Sequence, residues 1–220
     1  MSDGLPPPGC HEVTIGRELR LKAFLGVPDA ARGIVIFAHG SGSGRLSPRN
    51  NYVAQRLREA GLATLLLDLL TPAEERDRRN VFDIELLASR LRLAADWAAD
   101  YPDTAGHRPC YFGASTGGGA AIRAAAGDER IAAIVSRGGR PDLAGTNALA
   151  TVSAPTLLIV GSLDGIVIDL NRAAAEAMQC ERQLAIVPGA GHLFEEPGTL
   201  DQVVELATRW FLEHLDGARQ

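Results

Sequence analysis

The chain of 220 residues is poor in cysteine, has no excess of basic residues and contains no long apolar run. Its three cysteines, Cys10, Cys110 and Cys180, are odd in number and lack the spacing of metal ligands. That argues against a disulfide framework and points to a reducing compartment. Cys110 falls inside an apolar stretch and reads as a small buried filler. No stretch approaches the ~18 consecutive apolar residues of a membrane span. The opening residues, Met1-Ser2-Asp3-Gly4-Leu5-Pro6-Pro7-Pro8, lack the basic and apolar regions of a secretory signal. They read as a flexible leader over residues 1–10, ahead of a single domain over residues 11–217 in the cytoplasm. With 22 Lys and Arg against 27 Asp and Glu, the net charge of −5 argues against general nucleic-acid binding. There is no internal repeat, and no insertion long enough for a separate lid domain.

What is present is ordinary for a globular protein: 46% apolar and 22% charged residues. Apolar runs alternate with segments of helical periodicity. Glu12 to Ile15 and Arg20 to Leu25 predict two strands around a turn at Gly16-Arg17. The second alternates apolar and polar positions, as an antiparallel strand facing solvent would. Gly33 to Ala38, Ala63 to Leu67, Pro109 to Phe112, Ile131 to Val135, Pro155 to Val160 and Leu184 to Val187 predict further strands. The apolar runs among them fit strands covered on both faces. Helices are predicted around Tyr52 to Ala60, Val81 to Tyr101, Ala120 to Ala126, Leu170 to Met178 and Leu200 to Leu215. Thr71 to Asn80 and Arg137 to Leu149 read mainly as loops. The expected fold class is α/β: a doubly wound, mostly parallel sheet with antiparallel N-terminal strands. Right-handed crossovers then bring every strand-to-helix loop to one edge of the sheet.

Chemistry concentrates on that edge. Cys110-Tyr111-Phe112-Gly113-Ala114-Ser115-Thr116-Gly117-Gly118-Gly119 runs from an apolar strand through Gly-x-Ser-x-Gly into a helix start. This is the pattern of a nucleophile elbow, with Ser115 exposed on a tight turn. A serine hydroxyl needs a base to take its proton, and the base needs an orienting carboxylate. Asp164 follows the strand ending at Val160. His192 follows the strand ending at Val187. The order Ser115, Asp164, His192 is the order expected in such sheets. Asp169 reads as the cap of the helix after Asp164, which leaves Asp164 free. The oxyanion formed on attack needs fixed donors. Candidates are the backbone N–H groups of Thr116 and of Ser41, the latter in the Gly-rich loop His39-Gly40-Ser41-Gly42-Ser43-Gly44. His39 reads as packing beneath that loop.

Other readings compete at particular residues. The same loop, with Asp68 ending the next strand, has the outline of a dinucleotide site, but Arg45 stands where a third glycine belongs. Arg45, Arg49, Arg78, Arg79, Arg137 and Arg140 all fall near the active edge. Most are expected to be solvated or paired with Asp77, Asp83 and Asp142. Arg45, Arg137 and Arg140 are candidates to clamp a substrate carboxylate or phosphate. Glu195 and Glu196 read as supports for the closing helix.

Taken together, these residues resemble the α/β-hydrolase superfamily. The likeness is closest to small dienelactone-hydrolase-like enzymes and to hydrolase modules found alone or fused to phosphoribosyltransferases. It rests on Phe37-Ala38-His39-Gly40-Ser41-Gly42-Ser43, Ser115, Ser136-Arg137-Gly138-Gly139-Arg140-Pro141-Asp142, Asp164 and Gly191-His192-Leu193-Phe194-Glu195-Glu196-Pro197. The resemblance implies an eight-strand-type sheet and metal-free, cofactor-free hydrolysis through an acyl-enzyme. Dienelactone hydrolases are expected to carry cysteine where this chain has Ser115, so their lactone is not carried over. The expected activity is a serine hydrolase on small esters, thioesters or lactones. A peptidase or thioesterase on the same triad, or a hydrolase-like binding or assembly module, are the alternatives. The expected partner is a small acyl substrate, anionic in one reading, with no nucleic acid and no membrane. A homodimer is compatible with the sequence but not specified by it.

Overall fold

The structure, a computed structural model, describes residues 4–216. Eight strands form one sheet: β1 (His11–Ile15), β2 (Leu21–Gly26), β3 (Ile34–Ala38), β4 (Ala63–Leu67), β5 (Pro109–Ala114), β6 (Ile134–Arg137), β7 (Thr156–Gly161) and β8 (Arg182–Val187). Their order is β1-β2-β4-β3-β5-β6-β7-β8. β1 pairs antiparallel with β2, and β2 antiparallel with β4. From β4 to β8 all pairings are parallel. The expected leader lies partly outside the described residues, at 1–3, as does the expected domain end at residue 217. Pro8 and Gly9 lie beside Val27, Pro28 and Arg58.

Alternation along each strand divides the core. Ile34, Ile36 and Ala38 of β3 join one apolar cluster, whereas Val35 and Phe37 join the other. The first cluster is closed by α3 (Ile84–Asp100), α4 (Thr116–Ala125), α5 (Thr146–Thr151) and α6 (Gly165–Ala177). The second is closed by α1 (Pro48–Glu59) and α7 (Thr199–Asp216). Phe37 and Phe112 meet in that second cluster with ring centroids 5.0 Å apart. Burying a large apolar side chain of this kind stabilises by about 1.5–3 kcal/mol. A sheet sealed on both faces explains why its central strands read as unbroken apolar runs.

Local signals set the helix starts. Ser47 caps α1 by accepting the Asn50 N–H, and Pro48 occupies its first position, where no N–H is needed. Asp83 caps α3 by accepting the Leu86 N–H at 3.0 Å. The stretch read as loop at 71–80 holds a 3₁₀ turn, Glu74–Arg76, and the start of the short α2 (Arg78–Val81). Residues 137–149, also read as loop, contain a 3₁₀ turn at Pro141–Ala144 and most of α5. β6 lies three residues later than its predicted start, which places Ser136 and Arg137 inside the sheet. α4 and α6 begin earlier than their apolar periodicity indicates, directly after Ser115 and Asp164.

Candidate active site

Ser115 stands between β5 and α4 with φ +51° and ψ −121°. A non-glycine residue there carries about 1–3 kcal/mol of strain, so its surroundings must hold it. Three backbone bonds do. The Ser115 N–H donates to the Arg137 carbonyl at 3.2 Å, and the Ser115 carbonyl accepts from Gly118 and Arg140, both at 3.0 Å. Gly117 lets this turn press on β3. A Cβ at Gly117 would fall on the Ala38 carbonyl and lie 2.7 Å from the His39 oxygen.

Asp164 takes the N-cap position of α6 but makes no capping bond. Its carboxylate instead accepts the His192 Nδ1–H at 2.6 Å. This corrects the expectation that Asp169 caps the helix: Asp169 lies inside α6 and pairs with Arg172 at 3.3 Å. The Asp164 side chain is largely covered, and that of His192 is 39% exposed. The loop carrying His192 is held by Glu196, which accepts the Gly191 N–H at 3.1 Å. It is also anchored by Phe194, fully buried at φ +55°.

Gly138 connects the two halves. Ser115 bonds to Arg137, and the next residue, Gly138, lies against the histidine loop. A Cβ on Gly138 would stand 3.0 Å from the His192 carbonyl and 3.6 Å from Nδ1. With φ +51° and no room for a side chain, this position requires glycine. Adjacent strand ends thus bring Ser115, Asp164 and His192 to one rim. Ser115 and His192 make no direct hydrogen bond to each other in this structure.

The Gly-rich loop lies on the other flank. A Cβ at Gly40 would come within 3.0 Å of the Ser115 Cβ. His39 holds the loop from beneath: its Nδ1–H donates to the Gly40 carbonyl at 2.9 Å, and its Nε2 accepts the Leu69 N–H at 3.0 Å. Those roles fix a neutral ring, and burial holds its pKa below the usual histidine range against the Gly40 bond and Asp68. Among the described residues, neither the Ser41 nor the Thr116 N–H has a protein acceptor. Thr116 Oγ1 is also buried without a partner. A cavity of about 780 Å³ runs from Thr116 along this loop to Ser47 and Arg49. A second groove, of about 720 Å³, lies between α1 and α7 at Arg56, Asp201 and Arg209, away from the strand ends.

The arginines differ from one another. Arg45 lines the cavity, but its guanidinium is held by Asp68, with Glu12 at 3.6 Å, and lies over the Phe24 ring. Asp68 also accepts the Arg45 N–H at 2.8 Å, which leaves it engaged with the loop rather than open to a ribose. Arg140 is gripped by both oxygens of Asp142 at 2.8 and 2.7 Å, and Arg79 is paired with Asp77 at 2.6 Å. Asp83 serves as a helix cap. Among the described residues, Arg137 has no carboxylate partner. Arg49, which sequence reasoning named without singling out, is paired with Glu195 at 2.6 Å. No sequence spacing signals that pairing, because the partners are 146 positions apart.

A doubly wound sheet with a strained serine between its fifth strand and the following helix defines an α/β hydrolase. The chain belongs to the dienelactone hydrolase family, whose model matches residues 21–214. A solved dienelactone hydrolase from Anabaena variabilis is 55% identical, with a TM-score of 0.89 over 93% of this chain and 98% of that one. Est1E from Butyrivibrio proteoclasticus is 17% identical with a TM-score of 0.78, over 94% of this chain and 99% of that one, which supports the fold alone. A Mycobacterium tuberculosis protein named as a phosphoribosyl transferase is 58% identical over 215 residues. That match covers 96% of this chain and 48% of the relative, so the chain spans about half the relative's length. Among the described residues, no helix is long and apolar enough to cross a membrane.

Proposed function

We propose that the protein is a serine hydrolase that cleaves small esters, thioesters or lactones through an acyl-enzyme on Ser115. The observation that carries this reading is the bond between His192 Nδ1–H and Asp164, formed beside the strand end that holds Ser115 in its strained conformation. With Nδ1–H given to the carboxylate, Nε2 is the nitrogen left to act as base. Nε2 takes the Ser115 proton as Oγ attacks the acyl carbon. The carbonyl oxygen becomes an anion and accepts from the Ser41 and Thr116 N–H groups. The imidazolium then protonates the leaving alcohol or thiol, which departs. Water, deprotonated by the same nitrogen, attacks the acyl-enzyme and releases the acid and Ser115. The free Ser41 and Thr116 amides support the assignment of the oxyanion site. The cavity of about 780 Å³ is of a size for a small acyl ligand. The transferase activity in the relative's name belongs to a protein twice as long and is not proposed for this chain.

A fluorophosphonate probe tests the reading. The wild-type protein should be labelled, with the adduct on Ser115, and Ser115→Ala should lose both labelling and turnover of nitrophenyl esters. A folded wild-type protein that resists the probe, or labelling that survives in Ser115→Ala, would refute it.

A further inference from the structure

Leu163, Ile166 and Leu193 are exposed at 69%, 79% and 43%. Each lies within two residues of Asp164 or His192. A lone exposed leucine is ordinary, whereas large apolar side chains gathered at one place mark a contact surface. Two tight turns present the leucines. The Asp164 N–H donates to the Gly161 carbonyl at 3.0 Å, and the Phe194 N–H donates to the Gly191 carbonyl at 3.3 Å. Leu163 and Leu193 each hold the third position of their turn, where Gly, Asn, Asp and Ser are the usual residues. The two turns are joined. The Leu163 N–H donates to the Ala190 carbonyl at 2.9 Å, and Asp164 accepts from His192 at 2.6 Å.

The core does not claim these side chains. Val167 and Phe194, the next residues along the same segments, are the buried ones. Ile166 takes the second position of α6, two residues after the N-cap Asp164. None of the three lines the cavity of about 780 Å³, which runs from Thr116 along the Gly-rich loop. The reaction at Ser115 therefore has two sides. On one, Ser41 and Thr116 stand in the cavity wall. On the other, His192 carries the proton. That proton passes from Nε2 to the leaving oxygen or sulfur as its bond to the acyl carbon breaks, so the leaving atom must lie within hydrogen-bond reach of Nε2. Whatever the leaving atom carries is then held on the His192 side, where Leu163, Ile166 and Leu193 stand.

We infer that Leu163, Ile166 and Leu193 form a platform for the leaving group, and that the preferred substrates are esters or thioesters of an apolar alcohol or thiol, with the acyl group directed to the cavity. The inference deepens the hydrolase reading and rests on it. An alkyl or aryl group laid on the platform removes apolar surface of both partners from water. Glu195, an exposed carboxylate on the histidine loop, is engaged by Arg49 at 2.6 Å, which argues against a cationic leaving group.

Two measurements test it. The first compares kcat/KM for ethyl, butyl and hexyl butyrate, whose alcohols share nearly one pKa and differ in apolar area. Complete burial of a methylene gives about 4-fold, and a platform covering one face should give about 2-fold, so hexyl should exceed ethyl by about 10-fold or more. That ratio should fall towards one in Ile166→Gln and in Leu163→Gln, and persist in Ile166→Leu. The same variants should keep the wild-type preference in a series of ethyl esters with lengthening acyl chains. The second measurement needs no catalysis: hexanol added to Ser115→Ala should shift the methyl NMR signals of Leu163, Ile166 and Leu193, but not those of Leu5, an exposed leucine ahead of β1 at the opposite edge of the sheet. A hexyl-to-ethyl ratio near one in wild type, a ratio that survives both glutamine variants, or unmoved methyl signals would overturn the inference. A dimer that Ile166→Gln dissociates, or binding to phosphatidylcholine vesicles that it abolishes, would assign the surface to a second copy or a bilayer and overturn it equally. Hexanol shifts without probe labelling or ester turnover would instead leave the apolar site standing and remove the hydrolase reading.

Discussion

Replacing Arg137 with methionine should make the protein more stable. The folded chain brings this guanidinium's pKa down from its usual value to about 10, through burial first and the nearby Arg49 second. That difference corresponds to about 3 kcal/mol against the charged form. Methionine keeps the long apolar stem and removes the charge, and Ile159, aligned with this position on β7, belongs to the apolar cluster on that face. Some packing and the polar lining fit a thioether less well, so the net gain should be about 1–3 kcal/mol. Urea unfolding followed by far-UV dichroism would show a higher midpoint with an unchanged slope. In a domain of this size each kcal/mol moves the melting temperature by about 2–4 °C. The sign of the pH dependence is also fixed. A cation with a depressed folded pKa carries its full penalty at every pH below that pKa, and the penalty is relieved only as pH rises above about 10. The gain should therefore be constant between about pH 6 and 9. Arg140→Met is the control. It breaks a partly exposed pair with Asp142 and should change stability by no more than about 1 kcal/mol. A loss of stability in Arg137→Met would mean that the guanidinium is satisfied in the folded state, and the reasoning would fail.

Three further outcomes follow from the site. Asp164→Asn should keep the fold but lower kcat by about 10³–10⁴-fold, because the amide cannot hold the imidazole in its Nδ1–H form; a fall of less than about 10-fold in steady-state assays would count against the triad. Gly117→Ala drives a Cβ into the Ala38 and His39 carbonyls, which are backbone and cannot turn aside. It should cost about 3 kcal/mol in urea unfolding and abolish turnover, and a stable, active variant would contradict the packing described here. His39 should stay neutral at pH 6, with the proton on Nδ1, in heteronuclear NMR. Since its folded pKa lies below the unfolded value, its stabilising contribution is complete above about pH 6.5 and is lost as pH falls below that, by up to about 1.4 kcal/mol per pH unit. A urea midpoint equally flat between pH 5 and 7 in wild type and His39→Gln would show otherwise.

Much of this site is written in short sequence windows. Gly113-Ala114-Ser115-Thr116-Gly117 announces itself because a strained turn needs small neighbours, and Asp164 and His192 each follow an apolar run by a few residues. The strands are legible because both faces of the sheet are covered. Helix starts are harder to read. Gly117, Gly118 and Gly119 are poor helix formers, yet all three lie within α4. The space a Cβ would need is taken by β3, by Ser136 and by the Arg140 carbonyl. Packing overrides propensity there, as it does at Gly165, where α6 begins with Asp164 turned towards histidine instead of its own helix. Charge pairing is the least legible layer. Arg45 and Asp68 meet across 23 positions, and Arg49 and Glu195 across 146. No local spacing separates these arginines from Arg137, whose isolation depends on β6 extending two residues past its predicted end.

Several departures from ordinary folding rules meet at one rim, although Arg20 and Ala30 also have positive φ and Arg90 and His107 also hold buried unpartnered nitrogens. Ser115 and Phe194 have positive φ angles, Arg137 is a buried charge without a counterion, and the Thr116 and Ser136 hydroxyls are buried without partners. All lie within a few residues of the ends of β5, β6 and β8. Elsewhere the sheet is regular and sealed by two apolar clusters. Backbone strain persists where surrounding structure holds it. The strain at Ser115 is held by Arg137, Gly118 and Arg140 through the backbone. Among the described residues, no carboxylate pairs with Arg137. The backbone carbonyl that fixes the serine and the guanidinium that lacks a partner therefore belong to one residue. A change in the path of β6 therefore alters the backbone that holds Ser115 and the burial of that guanidinium together.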